Sequence, residues 1–312
     1  MAFPSIPDAL KNGRIAVCGL GLIGGSVVRA LRARGFQGHI TGHDVDAALL
    51  RQLLLEGWIN AIAEPPATLF AEHDLVLLCQ PVGVLCAFIE QHAADIGRGR
   101  AVGIDVASVK APVLAALRAG GEAAVARFVP SHPIAGKARH GWAAGDADLF
   151  AGKRCVLTPD ARTAAPALAC AEAFWALLGA QVTQMPAAQH DQVYAALSHL
   201  PQLLSYAYLH SLAQREGTRD WLAYQGSGFQ GFTRLGGSDA ALWADIAIHN
   251  TQPLIAEIDR LGDALGLIRQ HLAQGDAPAL AAAFAQARDF HGMSVAAPTA
   301  APVSLPPQQE PR

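Results

Sequence analysis

A surplus of charge of either sign is missing from this chain: 23 basic and 26 acidic side chains in 312 residues leave a formal charge of -3. With no basic stripe, nucleic acid is not an expected partner. Cysteine is sparse and poorly spaced for metal. Cys18, Cys79, Cys86, Cys155 and Cys170 make an odd set of 5 without a C-x-x-C pair, which points to free thiols in a reducing cytoplasm and to no metal site. A membrane-length apolar run is absent too. The longest uncharged stretch, Gln192 to Gln214, is interrupted by His199, Pro201, His210 and several Ser and Gln, so a helix buried between protein surfaces is expected there. Met1 to Asn12 lacks the apolar core of a secretory signal.

What the chain does have is a glycine pattern. Arg14-Ile15-Ala16-Val17-Cys18 leads into Gly19, and Gly21 and Gly24 complete a G-x-G-x-x-G spacing before Val27, Val28 and Leu31 recur with helical period. That order reads as a strand, a tight turn and a helix. Gly19 permits the turn, Gly21 removes a Cβ that would hold a pyrophosphate off the main chain, and Gly24 lets helix and strand pack closely. The helix start, with Leu22 and Ile23 in its first turn, offers free N–H groups to an anion. A second strand over 39–43 ends at Asp44, whose carboxylate suits a ribose diol and would repel a 2′-phosphate. The expected cofactor is NAD rather than NADP.

Apolar runs at 74–79 and 101–105 read as central strands, the first ending at Gln80-Pro81, so Pro81 falls where cofactor contacts collect. Strands at 127–130, 155–158 and 180–183, with a helix from about Ala164 to Leu178, are expected to form the far half of a doubly wound sheet. From Met185 helical spacing takes over. In Val193, Ala196, Leu197, Leu200, Leu203, Leu204, Ala207 and Tyr208 the apolar positions wrap more than one face, as at a subunit interface. Pro201 cannot donate to the Leu197 carbonyl, which predicts a kink beside His199. The expected architecture is α/β: an N-terminal Rossmann-like doubly wound domain over 1–184, an all-helical C-terminal dimerisation domain over 185–293, and an Ala-Pro-rich disordered tail over 294–312.

Several polar residues stand where chemistry is expected. His132, held extended by Pro133, is either a general base or the cap of a turn. Ser108 follows a strand end, where its hydroxyl can orient that imidazole; Ser108 and Lys110 read equally as a helix N-cap region. His199 lies at the kink, as a pocket residue or as a satisfied core histidine. Arg234 suits bidentate carboxylate binding, or else pairs with Asp239 or Asp245.

Taken together, Gly19 to Ser26, Asp105 to Lys110, His132-Pro133-Ile134-Ala135-Gly136, Leu149-Phe150, Ser198-His199-Leu200-Pro201 and Thr233-Arg234 with Trp243 resemble the prephenate dehydrogenases, the arogenate/prephenate group of tyrosine biosynthesis. The likeness covers about residues 13 to 293. It implies NAD-dependent oxidative decarboxylation of prephenate to 4-hydroxyphenylpyruvate in a cytoplasmic homodimer, with tyrosine as an inhibitor. His132 would take the hydroxyl proton, Ser108 would orient it, Arg234 would bind a substrate carboxylate, and His199 and Trp243 would shape the pocket.

The chain departs from the family pattern in places. An acid common after the His-Pro-Ile-Ala-Gly loop is missing, and Lys137 in that loop should disfavour the ammonium of arogenate. Gln202 stands where a second histidine is frequent. Gly231 replaces an acid before Phe232-Thr233-Arg234, which is expected to buttress the arginine less tightly. The rival readings are an arogenate or dual-specificity cyclohexadienyl dehydrogenase, a β-hydroxyacid or imine reductase, and a catalytically silent NAD-binding regulator. Reductases of that kind rely on a lysine in the helical domain, and Met185 to Arg312 contains none.

Overall fold

The computed structural model describes residues 10–63, 68–137 and 139–296. β1 (Arg14–Cys18), β2 (His39–His43), β3 (Ala61–Ile62), β4 (Leu75–Leu78), β5 (Val102–Asp105) and β6 (Phe128–Val129) form one sheet in the order β3-β2-β1-β4-β5-β6. Every pair in it is parallel. The uninterrupted apolar runs follow from two covered faces. Ile15, Val17, Leu75 and Leu77 face one apolar layer, while Ala16, Cys18, Val76 and Leu78 face the other. Helices Leu22–Ala33 and Ala165–Leu177 supply the first layer through Val27, Val28, Leu31, Phe174 and Trp175. Helices Val82–Arg98 and Ala111–Ala119 supply the second through Leu85, Ile89, Val113 and Leu117.

The far half of the sheet differs from expectation. β7 (Ser131–Pro133), β8 (Arg154–Leu157) and β9 (Gln181–Gln184) make a separate sheet, with β7 antiparallel to β8 and β8 parallel to β9. Pro130 is the physical reason. It has no N–H to continue a ladder, β6 stops at Val129, and the Pro130 carbonyl accepts from Thr158 N–H in the new sheet. Pro133 is tolerated because β7 is an edge strand.

Beyond β9 the described chain is helical: Ala187–Tyr194, Leu200–Ala213, Thr218–Trp221, Ser227–Thr233, Ala240–His249, Thr251–Gln274 and Ala277–Ala296. Between the first two, Ala195–His199 form a π turn in which Leu200 N–H reaches back to the Ala195 carbonyl. The missing N–H of Pro201 is absorbed there by a widened turn.

One compact unit continues past Met185 to Leu254, and a second begins at Ile255. Contacts of Asp191 with Lys110 and Ala111 N–H, and of Asp245 with Gly83 N–H, fasten helices after Met185 onto the sheet lobe. Most of the tail expected to be disordered, from 297 on, lies outside the described residues; Ser294 to Ala296 continue the last helix. Among the described residues no helix is long and apolar enough to cross a membrane.

Candidate active site

The glycine turn meets its three requirements separately. Gly19 has φ +93°, and a Cβ there would lie 2.6 Å from the Cys79 carbonyl oxygen. A Cβ on Gly24 would lie 1.9 Å from the Gly19 oxygen, whereas one on Gly21 would meet nothing within 4 Å. Open space above Gly21, and a helix start at Leu22 and Ile23 without a side-chain cap, fit a dinucleotide phosphate. Asp44 stands just past β2; its Oδ2 accepts from Leu20 N–H at 2.6 Å and its Oδ1 from Asp46 N–H at 3.0 Å. The turn and the acid are thus tied to each other. Pro81 is exposed at the start of the helix Val82–Arg98, where Gly83 N–H donates to the Asp245 carboxylate at 3.2 Å and 3.3 Å.

His132 sits on β7 with its backbone secured from below. The Lys110 ammonium, fully buried, pairs with Asp105 and donates to the Ser131 carbonyl at 2.7 Å, while Asp105 Oδ1 accepts from Ser131 N–H at 3.0 Å. Removing one partner of such a pair typically costs about 3–5 kcal/mol, because the other charge is left buried.

The His132 ring itself is set by a relay. His132 Nδ1 is 2.9 Å from His190 Nε2, and His190 Nδ1 is 2.8 Å from Asp191 Oδ1. A carboxylate can only accept, so His190 carries its proton on Nδ1 and accepts at Nε2. His132 then donates from Nδ1 and keeps a lone pair at Nε2. Burial, then the neighbouring His190 and Lys110, hold the His132 pKa well below 6.5, and burial holds His190 down to about 2. Both rings are neutral near pH 7. The Asp191 carboxylate is itself fixed by Lys110 N–H at 2.8 Å and Ala111 N–H at 2.7 Å.

His199, fully buried, lies edge-on to Trp243 with ring centroids 6.0 Å apart, so these two expected pocket residues are brought together. Asn250 Nδ2 is 3.0 Å from His199 Nδ1 and 2.9 Å from the Asp191 carbonyl oxygen. Burial lowers the His199 pKa to about 4. Ser108 makes no hydrogen bond to His132 among the described residues; the partner that orients the ring is His190.

Arg234 begins the turn Arg234–Gly237 and is exposed. Neither rival acid takes it: Asp239 caps the helix Ala240–His249 through Ala241 and Leu242 N–H, and Asp245 is engaged by Gly83 and His249. The turn is held from the helix Leu200–Ala213. Gln202 Nε2 donates to the Leu235 carbonyl, Ser205 Oγ accepts from Gly236 N–H at 2.8 Å, and Tyr206 Oη donates to the Ser238 carbonyl at 2.8 Å. Lys137 is ion-paired with Asp146 at 2.8 Å and lines a hollow of about 530 Å³ with Arg29, Arg32 and Trp58, a set that includes none of His132, His199 or Arg234.

Comparison with known proteins bears on this arrangement. The prephenate dehydrogenase nucleotide-binding domain family matches residues 27–184, and the prephenate dehydrogenase dimerization domain family matches residues 186–286. The chain belongs to the prephenate dehydrogenase family. A cyclohexadienyl dehydrogenase of Zymomonas mobilis is 30% identical over 84% of this chain and 89% of its own length. A prephenate dehydrogenase of Bacillus subtilis is 27% identical over 88% of this chain and 74% of its own. The crystal structure of Aquifex aeolicus prephenate dehydrogenase, in complex with hydroxyphenyl propionate and NAD+, superposes with TM-score 0.80 at 26% identity, covering 90% of this chain and 98% of that one.

Within this prephenate dehydrogenase fold, sequence reasoning missed His190, Asp191 and Asn250. His190 lies 58 residues from His132, and Asn250 lies 51 from His199. Only the adjacent His-Asp pair, two ionisable groups at the start of a helix otherwise read as apolar, offered a local signal.

Proposed function

We propose that this chain oxidises prephenate to 4-hydroxyphenylpyruvate and carbon dioxide with NAD, in the cytoplasm. The observation that carries the reading is the Asp191–His190–His132 relay, which leaves His132 Nε2 as a fixed neutral acceptor. The Gly19–Gly24 turn, Pro81 and Asp44 would hold NAD, which would supply the hydride acceptor for the ring carbinol. His132 Nε2 takes the hydroxyl proton of that carbinol. The imidazolium so formed shares its charge through His190 with the Asp191 carboxylate, which lowers the cost of a buried cation. As the carbinol carbon becomes a carbonyl, the bond to the ring carboxylate breaks, its electron pair aromatises the ring, and the phenolate recovers a proton. General-base help of this kind is typically worth about 10²–10⁴ in rate.

Arg234 binds a substrate carboxylate, His199 and Trp243 wall the pocket, and Ser108 reaches the imidazole or the hydroxyl once substrate is present. A second copy covers the apolar side chains left exposed on the last two helices, among them Leu265, Leu272, Phe284 and Phe290. Tyrosine, which shares the product's phenol ring and carries a carboxylate, competes for the same pocket. A dual-specificity reading is favoured by one observation: the Lys137 charge expected to repel arogenate is neutralised by Asp146.

NADH absorbance and 4-hydroxyphenylpyruvate formation, followed with prephenate, with arogenate and with NADP, test these assignments. Turnover with prephenate and NAD, reduced about 10²–10⁴-fold in His132→Asn, is the expected result. Near-full turnover by that variant would remove the proposed base.

A further inference from the structure

Asp191 reaches two histidines by different atoms. Through its carboxylate and His190 it determines the proton on His132; through its main-chain carbonyl and Asn250 it bears on His199. The second path has not entered the mechanism, and its chemistry is fully determined. A carbonyl oxygen only accepts, so the Asn250 atom 2.9 Å from the Asp191 oxygen is the amide nitrogen and the side chain cannot be flipped. The same nitrogen lies 3.0 Å from His199 Nδ1. That ring nitrogen must therefore accept, and in a neutral imidazole the proton sits on Nε2. His199 is fully buried, and its Nε2 has no hydrogen-bond partner among the described residues. A buried N–H without a partner is costly and normally marks a place where a ligand atom completes the bond.

We propose that Asn250 is a positioning residue that holds His199 as an Nε2–H donor to a carboxylate or keto oxygen of the substrate. The two imidazoles are thereby fixed in opposite senses, His132 to accept a proton and His199 to give a hydrogen bond. This rests on the prephenate reading above for the identity of the ligand, although the tautomer itself does not. Carboxylate and keto oxygens only accept, so a fixed donor serves them before reaction begins, and its loss appears in KM rather than in kcat. A carboxylate at position 250 reverses the situation: it cannot donate to Nδ1, and it draws a proton there instead.

Long-range proton–nitrogen spectra of the full-length chain labelled with ¹⁵N-histidine, with the His199 signals assigned by their loss in His199→Gln, read the tautomer directly. The native ring is expected in the Nε2–H form, and Asn250→Asp is expected to move the proton to Nδ1 or to give the imidazolium. With prephenate as the varied substrate, KM should rise about tenfold or more in Asn250→Asp, with the KM for NAD unchanged, whereas a merely structural role would move neither tautomer nor this ratio. A native Nδ1–H ring overturns the proposal without any variant. So does an Asn250→Asp protein that keeps Nε2–H, or one whose tautomer changes with no change in the prephenate KM. A native chain that shows the expected tautomers yet fails to turn over prephenate counts against the substrate assignment alone.

Discussion

Gly24 approaches Gly19 so closely that a methyl group on it would fall 1.9 Å from the Gly19 carbonyl oxygen. No side chain moves to relieve that clash, because the obstacle is backbone. Gly21, two residues from Gly19, faces open space. The two glycines therefore separate stability from cofactor binding. Gly24→Ala is expected to lower the unfolding free energy by about 1–3 kcal/mol, the range of an overpacked contact, and to lose NAD affinity with it. Gly21→Ala should unfold at the native midpoint and still raise the NAD KM, because its methyl occupies space a phosphate needs. Thermal melts beside NAD titrations check both, and equal destabilisation by the two variants would contradict the assignment.

Asp44 does two jobs, and one substitution divides them. Its carboxylate accepts main-chain N–H groups of Leu20 and Asp46, which joins the glycine turn to the end of β2. In the proposed reading its negative charge also meets the adenosine ribose. Asp44→Ser keeps a short acceptor but removes the charge. The preference for NAD over NADP, taken as the ratio of kcat/KM values, should shrink by about tenfold or more, the equivalent of roughly 1.4 kcal/mol. An unchanged ratio would place cofactor discrimination elsewhere.

Acid should destabilise the fold through its buried histidines. His132, His190, His199 and His73 are all held below the ordinary 6.5 by burial, His199 to about 4. In the unfolded chain the same rings take up protons near 6.5, so between that value and the folded pKa the unfolded state binds more protons and stability falls as pH falls. For His199 the window runs from 6.5 down to about 4. Each such ring contributes at most about 1.4 kcal/mol per pH unit. Unfolding free energies from urea melts at pH 7.5 and pH 5 should differ by well over about 1.4 kcal/mol, and His199→Gln should flatten the slope. A midpoint independent of pH would mean that these rings are charged or solvated in the native protein.

How much of this was legible in the sequence depends on whether a residue's partner lies nearby in the chain. The glycine spacing, Asp44 and the apolar strands were readable because each is a local pattern with a fixed period. The separate sheet that carries His132 was hidden, although its cause, Pro130, stood in plain view; a single missing N–H redirects the chain only when the competing ladder is known. Lys137 was read as a free charge because Asp146, its partner, is separated from it by a loop. The weak support expected for Arg234 from the loss of an acid at Gly231 is offset by Gln202, Ser205 and Tyr206, whose bonds to residues 235, 236 and 238 cross about thirty positions of sequence.

The π turn at Ala195–His199 carries a consequence for how this chain tolerates change in length. A widened turn holds one residue more than a regular helix would, and each residue corresponds to about 100° of rotation. In the wide turn the extra residue is taken up without that rotation, so deleting one of the five would keep Gln202, Ser205 and Tyr206 in phase but set the Pro201 ring against the carbonyl of a regular turn, at a cost of about 3 kcal/mol. The wide turn thus lets a proline stand inside a helix whose Gln202, Ser205 and Tyr206 hold residues 235, 236 and 238, and a shortened turn would loosen that hold by breaking the helix rather than by rotating it.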